Sequence, residues 1–232
     1  MDRNPILAAI DQPDLAAARR LAASLAGAVG GIKLGLEFFA ANGPDAARET
    51  AFGANLFLDL KLHDIPNTVA GAVRAVAPLA PLLLTIHAAG GPAMMRAAAD
   101  AASAAASGRR RMKLVGVTVL TSLDEDDIAK VGQRGPVADQ VKRLALLARD
   151  SGLDGVVCSP HEVAMLRAAC GKDFILVVPG IRPAGAATGD QKRVMTPHDA
   201  IVAGADYLVI GRPITAAPDP AEAARAIMAS LP

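Results

Sequence analysis

Charged residues stand in this chain where a strand core calls for apolar ones. The run Asn55-Leu56-Phe57-Leu58-Asp59-Leu60-Lys61 alternates with period two, which puts Leu56, Leu58 and Leu60 on one face and Phe57, Asp59 and Lys61 on the other. In Gly31-Ile32-Lys33-Leu34-Gly35 the same alternation sets Lys33 apart from its aliphatic neighbours. Asp11 follows the apolar run Ile6 to Ile10, and Asp64 lies three residues past Lys61. Ions withdrawn from water are costly unless they are paired or serve a reaction. Lysines alternating with carboxylates suit proton transfer. A lysine between carboxylates stays protonated, so Lys61 reads as a cation and an acid, not an amine nucleophile. The competing reading is an ion-pair network that only braces the fold.

A second group of residues suits a phosphate. Val209-Ile210-Gly211-Arg212-Pro213 places a glycine and a fixed cation directly after an apolar run, so the backbone can approach an anion closely and a guanidinium can grip it. Arg182 and Gln191 fall in the long stretch from Pro179 to Pro197, where they are able to close over the same group. The substrate class implied is a small phosphate ester.

Both groups need a scaffold that brings strand ends together. Apolar, β-branched runs at Ile6 to Ile10, Gly31 to Gly35, Asn55 to Lys61, Leu82 to Ile86, Lys113 to Leu120, Gly155 to Cys158, Phe174 to Val178 and Tyr207 to Ile210 are each followed by a helical segment. Helices are expected at Leu15 to Ala28, Pro92 to Ala106, Val137 to Arg149 and Ala221 to Ser230, with 51 alanines in the chain as favourable helix formers. Eight such units predict a single-domain (β/α)8 barrel over residues 1–232. An open doubly wound sheet would carry a glycine-rich first turn, and here the first run ends in Ile10-Asp11-Gln12-Pro13. The stretches Thr121 to Pro136 and Pro179 to Pro197 read as long loops at the catalytic face. Arg109, Arg110, Arg111 and Lys113 read as a solvated corner at the opposite face.

Composition narrows the function. With 24 basic against 23 acidic residues the net charge is +1, so no field draws the chain to nucleic acid or an anionic membrane. One Tyr, five Phe and no Trp leave few stacking platforms for single strands. Cys158 and Cys170 show neither a CxxC spacing nor a nearby His cluster, so reduced thiols are expected and no metal site. His63 lies past a strand end, His87 stands alone at another, and His161 and His198 read as surface residues. The apolar stretch at the N-terminus is too short for a signal peptide, and residues 75–89 are broken by Pro78, Pro81 and His87. A soluble, cytoplasmic protein is expected.

The stretch Phe57-Leu58-Asp59-Leu60-Lys61-Leu62-His63-Asp64-Ile65-Pro66-Asn67-Thr68 resembles the signature of orotidine 5'-phosphate decarboxylases, with Leu62 where Phe is common. Gly31-Ile32-Lys33, Val117 to Ser122, Val178 to Pro183, Gly189-Asp190-Gln191 and Ile210 to Pro213 extend the resemblance, in order, over nearly the whole chain. The resemblance implies a (β/α)8 barrel that converts orotidine 5'-monophosphate to uridine 5'-monophosphate and carbon dioxide, the last step of UMP biosynthesis, without metal or cofactor. It implies a homodimer in which Asp64, Ile65 and Thr68 reach across into the partner's site. Lys61 would protonate C6, Asp59 would face the substrate carboxylate, Lys33 would hold Asp59 and contact the ribose, and Asp11 would bind ribose hydroxyls. Thr121, or Ser122, would meet the pyrimidine edge. Gln191, Gly211 and Arg212 would hold the phosphate, with Arg182 in the same binding set. Related readings are a magnesium-dependent sugar-phosphate lyase of the hexulose-phosphate synthase kind, which carries an acidic residue at the position of Lys33, a metal-dependent epimerase, and a barrel that binds a nucleotide without turning it over.

Overall fold

A computed structural model describes residues 4–106, 108, 110–183 and 195–232. Among them, parallel strands β1 (Ile6–Ile10), β2 (Gly31–Gly35), β3 (Leu56–Leu62), β4 (Leu83–His87), β5 (Lys113–Val117), β6 (Gly155–Val157), β7 (Ile175–Val178) and β8 (Tyr207–Ile210) close into a barrel in sequence order. The interleaved helices are α1 (Leu15–Ser24), α2 (Leu36–Thr50), α3 (Pro66–Val76), α4 (Gly91–Ala106), α5 (Glu125–Lys130), α6 (Val137–Asp150), α7 (Val163–Cys170), α8 (Pro197–Ala203), α9 (Arg212–Thr215) and α10 (Pro220–Ala229). Local chemistry sets many helix starts. Asp14, Thr196 and Asp219 cap α1, α8 and α10 by accepting from the backbone N–H three residues on. Proline occupies the first turn of α3, α8 and α10, where its missing N–H has no helical partner to lose.

Strand alternation divides the apolar residues into two cores. Leu56, Leu58 and Leu60 face the helices together with Ile32 and Leu34. Leu7, Phe57, Leu83, Val177 and Tyr207 fill the inside of the barrel. Lys33, Asp59 and Lys61 therefore point inward toward the C-terminal mouth, as the alternation predicts.

Several boundaries differ from those expected. β5 stops at Val117, where the Thr118 hydroxyl takes over and donates to the Val157 carbonyl at 2.9 Å. α1 stops at Ser24 rather than Ala28, since Ser24 Oγ donates back to the Leu21 carbonyl and Gly27 turns left-handed at φ 74°. The stretch after β5 is not all loop, because Asp124 and Asp127 form a capping box that starts α5. Nor is the basic corner simply solvated. Arg111 forms a two-pronged pair with Asp154, which also accepts from the Leu114 N–H and so ties β5 to the turn before β6. Arg110 reaches Asn55, and Arg109 lies outside the described residues. Arg167 does similar work before β8, gripping Asp206, which accepts from the Leu176 N–H. Cys158 is buried and Cys170 half-buried, and both are free thiols; burial pushes both thiols up from their ordinary range. No helix among the described residues is long and apolar enough to cross a membrane.

Candidate active site

A cavity of about 520 Å³ opens at the C-terminal mouth of the barrel. Asp11, Lys33, Asp59 and Lys61 line one wall, from the ends of β1, β2 and β3. Thr121, Arg182, Gly211 and Arg212 line the rest of the mouth, with Phe57, Val117 and Val209 as an apolar floor.

The charged wall is a chain of alternating sign. Lys33 Nζ lies 2.5 Å from Asp11 Oδ1 and 3.6 Å from Asp59 Oδ2. Lys61 Nζ lies 2.8 Å from the same Asp59 oxygen. The Lys33 side chain is 9% exposed, Asp59 13% and Lys61 30%, so the inner pair is withdrawn from water while the Lys61 ammonium is open to a ligand. Burial works to raise the Asp59 pKa, but Lys33, Lys61 and the hydrogen bonds from Lys61 and Thr85 together outweigh it and hold the carboxyl below the ordinary carboxylate value.

Lys61 reaches this position through an unusual backbone. Its φ is 51°, left-handed for a residue that is not glycine, and the pairing of β3 with β4 slips between Leu58 and Leu62. Such a conformation costs of order 1–3 kcal/mol and persists only where neighbours over-determine it. Thr85, fully buried on β4, is such a neighbour: its Oγ1 accepts from the Lys61 backbone N–H at 2.8 Å and donates to Asp59 Oδ1 at 3.0 Å. Gly35 is another. A β-carbon there would sit 2.8 Å from Asp11 Oδ1 and 3.1 Å from Lys33 Nζ, so any other residue would make the ends of those two side chains shift.

Thr85 and Gly35 were not among the expected site residues. The alternation in Leu83-Leu84-Thr85-Ile86-His87 does turn Thr85 inward, whereas no feature of the sequence marks Gly35 as facing a charge. Other expectations need correction. Asp64 does not bracket Lys61. Its side chain is exposed and accepts from the Ile65 N–H at 2.6 Å, because the chain has already turned toward the proline that opens α3. Residues 63–68, including Ile65 and Thr68, are exposed together and lie outside the cavity of this chain. His87 does not stand alone, for its ring centroid is 5.2 Å from that of His63. Thr121 lines the cavity and Ser122 does not. Gln191, with the Gly189-Asp190-Gln191 motif, lies outside the described residues. No cluster of His, Cys, Asp and Glu suited to a metal occurs among the described residues.

The family described as "Orotidine 5'-phosphate decarboxylase / HUMPS family" matches residues 4–227. This chain belongs to that family. An orotidine 5'-phosphate decarboxylase of Rhodospirillum rubrum is 59% identical over 235 residues, covering 100% of this chain and 95% of its own length. One of Paramagnetospirillum magneticum is 58% identical, covering 98% of each chain. Among solved structures, the orotidine 5'-phosphate decarboxylase of Lactobacillus acidophilus superposes with a TM-score of 0.85 at 38% identity, covering 97% of each chain. The orotidine 5'-phosphate decarboxylase / HUMPS family description spans more than one activity, and these relatives all carry the decarboxylase name.

Proposed function

We propose that this chain decarboxylates orotidine 5'-monophosphate to uridine 5'-monophosphate and carbon dioxide, the closing step of UMP biosynthesis. The observation that carries the reading is the Lys61 ammonium held 2.8 Å from a buried carboxylate at the end of a cavity whose other side bears Arg212. Cleavage of the C6–carboxylate bond leaves its electron pair in the plane of the pyrimidine, outside the π system, where no ring carbonyl can delocalise it. The protein must stabilise that pair by charge, within the roughly 8–23 kcal/mol that enzymes typically supply. Lys61 is the cation at that position. It neutralises the developing carbanion, transfers a proton to C6, and regains a proton from solvent. Asp59 stands against the substrate carboxylate, so the ground state feels a repulsion that departing carbon dioxide relieves.

The remaining residues bind and orient. Lys33 holds Asp59 and contacts the ribose, and Asp11 accepts from ribose hydroxyls. Thr121 meets the pyrimidine edge. Gly211 and Arg212, joined by Arg182 and Gln191, hold the phosphate, whose binding energy then supports chemistry at the distant C6. The reaction needs no metal or cofactor. A magnesium-dependent lyase would require free carboxylates, whereas Asp11 and Asp59 both face Lys33. The enzyme acts as a cytoplasmic homodimer of one domain per chain, residues 1–232, with Asp64, Ile65 and Thr68 completing the partner's site. Support for that arrangement is the exposed stretch 63–68, where the apolar residue Ile65 is 67% exposed.

The test is turnover by purified protein in EDTA, followed by loss of the orotate chromophore and appearance of uridine 5'-monophosphate. Decarboxylation under chelation is expected. No turnover, or turnover only with added divalent metal, would overturn the reading.

A further inference from the structure

Two residues of the charged wall share one buried hydroxyl that does not line the cavity. Thr85 occupies the inner face of β4 between Leu83 and His87, and none of its surface reaches water. A threonine hydroxyl has one proton to give. Since the Lys61 backbone N–H occupies Oγ1 as a donor at 2.8 Å, that proton goes to Asp59 Oδ1 at 3.0 Å. Asp59 is thereby held on both oxygens, by Thr85 on Oδ1 and by the two ammonium groups on Oδ2. Its carboxylate cannot rotate without breaking one set.

The same hydroxyl settles the backbone. The slip between β3 and β4 takes the Lys61 N–H out of the regular ladder, and Thr85 gives it a partner. Without that partner, the left-handed φ of 51° loses a restraint, and the Lys61 backbone is free to carry the ammonium off its 2.8 Å contact with Asp59.

We propose that Thr85 is a positioning residue for the decarboxylation: one buried hydroxyl sets both the backbone turn of Lys61 and the rotation of Asp59, and so fixes the acid relative to the carboxylate. This rests on the decarboxylase reading above. Thr85→Val keeps the shape and removes the hydroxyl, while Thr85→Ser keeps the hydroxyl and removes a methyl group. Kinetics with orotidine 5'-monophosphate and calorimetric affinity for uridine 5'-monophosphate separate the roles. In Thr85→Val, kcat falls about 10- to 100-fold, with KM and product affinity within about threefold of wild type. Thr85→Ser returns kcat to within about threefold of wild type. A bracing role alone would lower the unfolding temperature and leave kcat at 25 °C intact. If the valine variant does not fold, Thr85→Ala takes its place. Wild-type kcat in the valine or alanine variant, or a serine variant as impaired as the valine one, overturns the proposal. Absence of turnover in the wild type would instead overturn the decarboxylase reading. Hydrogen exchange at the Lys61 amide then decides on Thr85: slow exchange in wild type and Thr85→Ser with fast exchange in Thr85→Val supports it, and equal rates overturn it.

Discussion

Lys61 and Asp59 lie two residues apart on β3, and the left-handed turn at Lys61 accompanies a 2.8 Å contact between its ammonium and the Asp59 carboxylate. Burial opposes the Asp59 charge, but Lys33, Lys61 and Thr85 prevail, so its folded pKa lies below its unfolded value. A carboxyl depressed in this way contributes stability that is present above its unfolded pKa of about 3.9 and is lost as pH falls through the folded value. Urea unfolding of wild type and Asp59→Asn across that acid range should therefore show their stability difference moving in favour of the variant as pH falls. A constant difference would contradict the assigned shift.

His87 gives the same sign at higher pH. Burial, then the neighbouring His63 and Lys61, hold its pKa below the ordinary histidine value. The contribution is fully present above about pH 6.5 and is lost as pH falls through the folded pKa. Replacing His87 by Asn should flatten the decline of the thermal midpoint between about pH 6.5 and 5, measured by scanning fluorimetry. Parallel curves for the two proteins would contradict it.

Gly35 makes room for the outer ion pair, so Gly35→Ala should push Asp11 and Lys33 off their present positions. Since a misplacement of about 1 Å can cost about 100-fold, the smaller shift forced here should lower kcat/KM by about tenfold. The fold should persist, as judged by circular dichroism, because the clash is with side-chain ends. Unchanged kcat/KM would show that the Asp11–Lys33 geometry does not matter to turnover.

A shared site predicts complementation. Lys61→Ala and Asp64→Ala proteins, each inactive alone, should recover about a quarter of wild-type activity after subunit exchange, since half the dimers then hold one intact site. Exchange is checked by mixing differently tagged chains. Exchanged dimers without activity would contradict the assignment of Asp64 to the partner's site.

Most of the scaffold is legible in the chain because period-two alternation has one physical cause, an apolar interior against an apolar helical layer. That alternation turns Lys33, Asp59 and Lys61 to the side opposite the leucines, into the barrel. What it did not reveal depends on local departures from periodicity. The left-handed φ of Lys61 follows from the pairing with Thr85, a contact between residues 24 apart. The same turn explains why counting along the strand misplaced Asp64. Gly35 carries no signal because its importance lies in the volume it leaves to Asp11 and Lys33. The α5 helix hides in a polar stretch whose capping carboxylates, Asp124 and Asp127, read equally well as loop residues.

The proposed mechanism has one ammonium stabilise and protonate the carbanion left at C6. Its most direct test is kcat for orotidine 5'-monophosphate in Lys61→Ala, measured beside calorimetric affinity for uridine 5'-monophosphate. We expect kcat to fall at least about 1,000-fold, while product affinity stays within about tenfold and the fold is retained. A Lys61→Ala enzyme that turns over near the wild-type rate would contradict it.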